Sequence, residues 1–156
     1  MRKFNFNMLA VMMGTLSIAV GTAIIYLGYQ LLGIDLSLYY GIRTFNPTWV
    51  VALFLVPFIG GLFVSFIYGL GGKILAYIPA LLVCGADYIY LEFFGMVPQG
   101  TTLLPLGYWI LVVIIAVESA GVGGIIGEVV IKKTYGRSDK KKLHKKYQKR
   151  PVSSNT

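Results

Sequence analysis

The chain has 156 residues, 56% of them hydrophobic and only 13% charged, with a formal net charge of +8. Soluble domains carry about 25% charged residues. Here ten of the fourteen Lys and Arg lie between Lys132 and Arg150, so the rest of the chain has too little polar surface for a soluble globule.

A membrane-spanning helix needs about 20 mainly apolar residues. The first such stretch covers about residues 8–32. Arg2 and Lys3 precede it, as they would in a secretory signal, but the apolar region of a signal is about 7–15 residues and ends at small polar ones. Here the run continues through Ile24, Ile25, Tyr26 and Leu27, so an uncleaved first helix is expected. Residues 33–47 read as a loop carrying Asp35 and Arg43, and Asn46-Pro47 is a turn signal.

The second span covers about residues 49–70. Pro57 lies inside it and is expected to kink it. Gly69-Leu70-Gly71-Gly72-Lys73 forms a hinge, which predicts a tight antiparallel hairpin of spans two and three. That hinge is not a phosphate loop. It lacks the required spacing, and Ile74 follows the lysine where Ser or Thr would be needed.

The third span covers about residues 74–94, with Pro79 in its first turns. A loop over residues 95–105 follows, and the fourth span covers about residues 106–131, ended by Lys132 and Lys133. The expected fold is an all-α integral membrane protein: a four-helix transmembrane domain over residues 1–133 and a basic tail over residues 134–156. The tail has no apolar periodicity and reads as mobile or ordered by a partner.

Basic residues predict orientation, because they accumulate on the cytoplasmic side. With the N-terminus inside, the inside segments hold Arg2, Lys3, Lys73 and the ten tail residues, and the outside loops hold only Arg43. Both termini are therefore expected in the cytoplasm, and a bacterial inner membrane is the expected location. Tyr39, Tyr40, Phe45 and Trp49 flank one outside loop, and Phe93, Phe94, Tyr108 and Trp109 flank the other. Both sets are expected to form an aromatic belt at the headgroups.

Small residues four apart let helix backbones approach closely in a membrane. Span two has Gly61, Ser65 and Gly69 at that spacing, and span four has Ser119, Gly123 and Gly127. Ala116, Ala120 and Gly124 form an adjacent stripe, and span one contributes Ser17 and Gly21. These are expected packing faces, within one chain or between chains.

The lone cysteine, Cys84, has no partner for a disulfide and reads as a small buried hydrophobe. The lone histidine, His144, lies in the tail, so a His-based metal site or haem axial pair within the membrane is excluded. No catalytic residues and no cofactor are expected, since neither a nucleophile–base pair nor a metal cluster is present in the sequence pattern.

Four acids lie within the spans: Asp87, Glu92, Glu118 and Glu128. Glu92 and Glu128 reach the two interfaces, and Lys132 follows Glu128 by four residues, a favourable helical pair. Glu118 falls near mid-span, where an acid costs about 2.5–3.5 kcal/mol on insertion scales. It is expected to be neutral, to face a polar cavity with Asp87, to bond to a hydroxyl such as Thr22, Ser65 or Ser119, or to pair with a basic residue of another protein.

In the tail, Lys140, Lys141, Lys142, Lys145, Lys146, Lys149 and Arg150 are expected to bind anionic lipid at about 1 kcal/mol per residue near the surface. A partner protein is the other reading of this cluster. No specific nucleic acid is predicted, because Tyr135 and Tyr147 are too sparse for base stacking. The function expected from these features is a small non-catalytic accessory, scaffold or assembly subunit of a larger membrane complex. The alternative is a small oligomeric proton- or cation-coupled transporter or channel using Glu118 and Asp87.

Overall fold

The computed structural model describes residues 2–34, 36, 46–95, 99, 102 and 104–148, with side chains over 8–34, 36, 46–95, 99, 102 and 104–134. The regular structure of these residues is all helical, with no strand among them. The elements are α1 (Arg2–Leu31), α2 (Pro47–Tyr68), α3 (Gly72–Leu75), α4 (Tyr77–Phe94) and α5 (Leu106–Gln148). Four segments are long and apolar enough to cross a bilayer: Met8–Leu31, Pro47–Tyr68, Gly72–Phe94 and Leu106–Thr134. They match the expected spans to within three residues at each end.

Local chemistry sets the element ends. Pro47 opens α2 at its first helical position, where its missing N–H would have no intrahelical partner anyway. Gly69 closes α2 with φ +88°, its N–H donating to the Ser65 carbonyl at 2.8 Å. Gly71 follows at φ +94°, in the left-handed region that favours glycine. The turn between these glycines is the predicted hinge. The third span is not one helix but two, broken at Ala76. Pro79 explains the break, because its ring collides with the carbonyl of the residue four before it, Leu75.

Around the bundle the helices run α1, α2, α5, α4, and among the described residues the backbones of α1 and α5 occupy opposite corners. The hinge therefore sets α3 beside α2, but α4 packs mainly on α5 and α1. The tight contact expected between spans two and three is confined to the hinge end. The most extensive interface joins α2 and α5.

Small residues make that interface close. A Cβ on Gly61 would overlap the Ala120 carbonyl oxygen, and one on Gly123 would overlap that of Phe58. The Ser65 hydroxyl donates to the Gly124 carbonyl at 2.7 Å, and the Ser119 hydroxyl donates to the Phe54 carbonyl. Against α1, a Cβ on Gly60 would meet Ile25 Cγ1 at 2.6 Å, and one on Gly28 would meet Val56 Cγ1 at 2.7 Å. The core includes Ile25, Tyr29, Leu53, Val56, Ala80, Cys84, Val112 and Ala116.

Two expectations change. Trp49 and Trp109 are not belt residues: they are buried in the core, Trp109 edge-on to Tyr88 with ring centroids 5.2 Å apart. Proximity to a helix end does not decide which side of the helix a ring occupies. Phe93, Phe94 and Tyr108 are exposed, whereas Tyr39, Tyr40 and Phe45 lie outside the described residues. The basic segment after Thr134 also continues α5 as helix to Gln148. Lys, Arg and Gln are good helix formers, and extending an existing helix avoids the cost of nucleation.

Candidate functional site

Helical spacing builds a cleft between α1 and α4. On α1, Thr22, Tyr26, Tyr29 and Gln30 recur at intervals that return to one face, and Gly33 follows in the turn after the helix. On α4, Leu82, Val83, Ala86, Asp87 and Tyr90 do the same. These two faces line a cleft of about 900 Å³, and Ile34 and Leu36 complete its described lining. Thr22 spends its hydroxyl on the Ile18 carbonyl at 2.8 Å. Tyr29 is 4% exposed, and its hydroxyl has no hydrogen-bond partner among the described residues. Asp87 is half-buried and already makes an interaction of its own.

Glu118 lies elsewhere. It is exposed on α5, on the face shared by Ile114, Val122 and Ile125. Ala116 and Ala120, two residues to either side, are fully buried. Glu118 therefore points away from the bundle, and among the described residues it makes no hydrogen bond or ion pair. The hydroxyls considered as its partners are all engaged with backbone carbonyls: Thr22 with Ile18, Ser65 with Gly124 and Ser119 with Phe54. The structure thus brings Asp87 into the cleft and leaves Glu118 on the opposite side of the neighbouring helix.

The other two acids have local partners. Glu92 is exposed and accepts a hydrogen bond from the Tyr88 hydroxyl one turn earlier. Glu128 is buried. Its Oε1 pairs with Lys132 Nζ at 2.8 Å, and the carboxylate sits near the Gly71 amide and Lys73 of the hinge, with Oε2 buried without a hydrogen-bond partner among the described residues. Sequence spacing identifies the Glu128–Lys132 pair but not the contact with the hinge, which arises from α3 packing against α5.

The packing residues Gly61, Ser65, Ser119, Gly123 and Gly127 meet at the α2–α5 interface, and Gly69 lies in the turn. Cys84 is a free, buried thiol. Of the tail residues, Lys140, Lys141, Lys142, Lys145 and Lys146 lie on the helical extension of α5, with side chains outside the described set. Lys149 and Arg150 are outside the described residues altogether. Among the described residues no group of three His, Cys, Asp or Glu is placed to hold a metal ion.

Tyr26, Tyr29, Gln30 and Tyr90 are the lining residues that the sequence reading passes over. Their signal is present in retrospect: the polar-tipped residues at 22, 26, 29 and 30 keep to one face of a mainly apolar helix.

Together these features define a class: among the described residues, an all-helical bundle with four helices long and apolar enough to cross a membrane. Comparison with known proteins finds no matching family model, no similar curated protein and no similar solved structure.

Proposed function

We propose that this chain is a non-catalytic subunit of a larger membrane complex, docked to its partner through the outward face of α5. One observation carries the reading: Glu118 is exposed at mid-span on that face without a partner among the described residues. Facing lipid, such an acid costs about 2.5–3.5 kcal/mol. A partner helix with Lys or Arg at the same depth converts that cost into a charge-assisted hydrogen bond. The occupant is a different protein, because the basic residues of this chain whose side chains are described, Lys73, Lys132 and Lys133, lie at the hinge end of the bundle and not at mid-span.

In this reading the protein sits in a bacterial cytoplasmic membrane with both termini inside, as the distribution of basic residues supports. The basic extension of α5 then lies against anionic headgroups or an acidic partner surface. A proton or cation path through both Asp87 and Glu118 receives less support, because the two acids occupy different sides of one chain.

The test is purification in mild detergent at native expression. A stoichiometric partner is expected with the wild-type chain, and Glu118→Leu should release it while the bundle stays folded. Recovery of the chain as a lone homo-oligomer, or partner retention in Glu118→Leu, would refute the proposal.

A further inference from the structure

We propose that the cleft between α1 and α4 is a binding site for an organic ammonium group, held by Asp87 and the rings of Tyr26, Tyr29 and Tyr90. This inference is independent of the partner bound at Glu118. The cleft holds about 900 Å³, far more than a metal ion fills and enough for a substituted amine or a lipid headgroup. Its described lining carries one acid and no Lys or Arg, so the electrostatic preference is for a cation. A carboxylate has about four acceptor sites. Asp87 can therefore receive an N–H donor, or approach a quaternary ammonium, while keeping the interaction it already makes.

Three tyrosines share this lining, and aromatic faces attract soft, weakly hydrated organic cations through the ring quadrupole. Tyr29 belongs to the wall of the cleft and is almost fully buried, and its hydroxyl has no hydrogen-bond partner among the described residues, a state that costs free energy. Leu82 and Val83 give the cleft an apolar wall for the substituents of the amine. The ammonium can belong to a free compound or to a zwitterionic lipid headgroup such as phosphatidylethanolamine. The chemistry recognised is the same in both.

The experiment uses the full chain in nanodiscs made only of phosphatidylglycerol, titrated with tetrapropylammonium and followed by calorimetry. Saturable binding is expected. Asp87→Asn should weaken it by at least about tenfold, the loss of a charged partner, and Tyr90→Ala by about two- to fivefold. Tyr90 is exposed, so Tyr90→Ala remains informative even where Asp87→Asn does not fold. Phosphatidylethanolamine in the nanodisc identifies the source: competition with tetrapropylammonium assigns the site to the lipid headgroup, and undiminished binding assigns it to a free ammonium compound. Absence of saturable binding in the wild type, or equal binding by wild type and both variants, would overturn the assignment.

Discussion

At the scale of single residues, the absence of side chains matters as much as their presence. Gly61 and Gly123 lie where the α2 and α5 backbones come closest, and each faces a carbonyl oxygen of the other helix. Backbone cannot step aside as a flexible side chain can. Gly61→Ala and Gly123→Ala are therefore expected to destabilise the bundle by about 1–3 kcal/mol, the usual cost of overpacking. Gly85→Ala serves as the control, since a Cβ there meets nothing within 4 Å and alanine is the better helix former. Denaturation in mixed micelles should separate the two groups, and equal stability of all three variants would contradict the close-approach account. These glycines were legible in the sequence as small residues four apart. Their carbonyl contacts were not, because spacing along one helix does not specify the register of the helix opposite.

At the scale of elements, the hinge between α2 and α3 depends on two backbone conformations that L-residues rarely adopt. Gly71 is near the left-handed helical region, whereas Gly69, at φ +88° and ψ −137°, is in territory reserved almost wholly for glycine. Gly71→Ala is expected to cost about 1–2 kcal/mol, with Gly71→Asn recovering part of it because Asn tolerates the left-handed region. Gly69→Ala should cost more than Gly71→Ala. Thermal unfolding of the three variants checks the ranking, and a Gly69→Ala protein as stable as wild type would show that the turn relaxes. Pro79 works on the same scale. It was expected in the first turns of one continuous span; it divides that span into α3 and α4, and the short α3 brings Gly72 against Ser65 and Lys73 toward Glu128.

At the scale of the whole molecule, the described helices form a ring in which each long helix has two main neighbours and the backbones of α1 and α5 lie at opposite corners. That arrangement has an inside for small residues and an outside that stays apolar, with Phe54, Phe63, Ile89 and Ile114 among the exposed large side chains. In a bilayer such a surface faces lipid at no hydrophobic cost. Under the proposed orientation, a single cysteine introduced at Gly71 in a Cys84→Ser background should react with thiol reagents only from the cytoplasmic side. One at Gln99 should react only from the outside. Labelling of Gly71→Cys from the outside would reverse the proposed topology. The native Cys84 thiol is buried, so its removal does not disturb the surface being probed.

Apolar runs of helical length separated by turn signals determined, by sequence alone, the four helices fit to cross a membrane that the described residues form and roughly where each begins and ends. They did so because the length of an apolar run and the placement of Gly and Pro are local properties. Which side of each helix faces its neighbours was decided only by the tertiary structure. Packing turned Trp49 and Trp109 inward, set Asp87 beside three tyrosines from two helices, and turned Glu118 out to the surface. The physical reason is that a rotation of a helix about its own axis leaves its sequence, length and hydropathy unchanged. Only the fit of one helix against another selects the rotation.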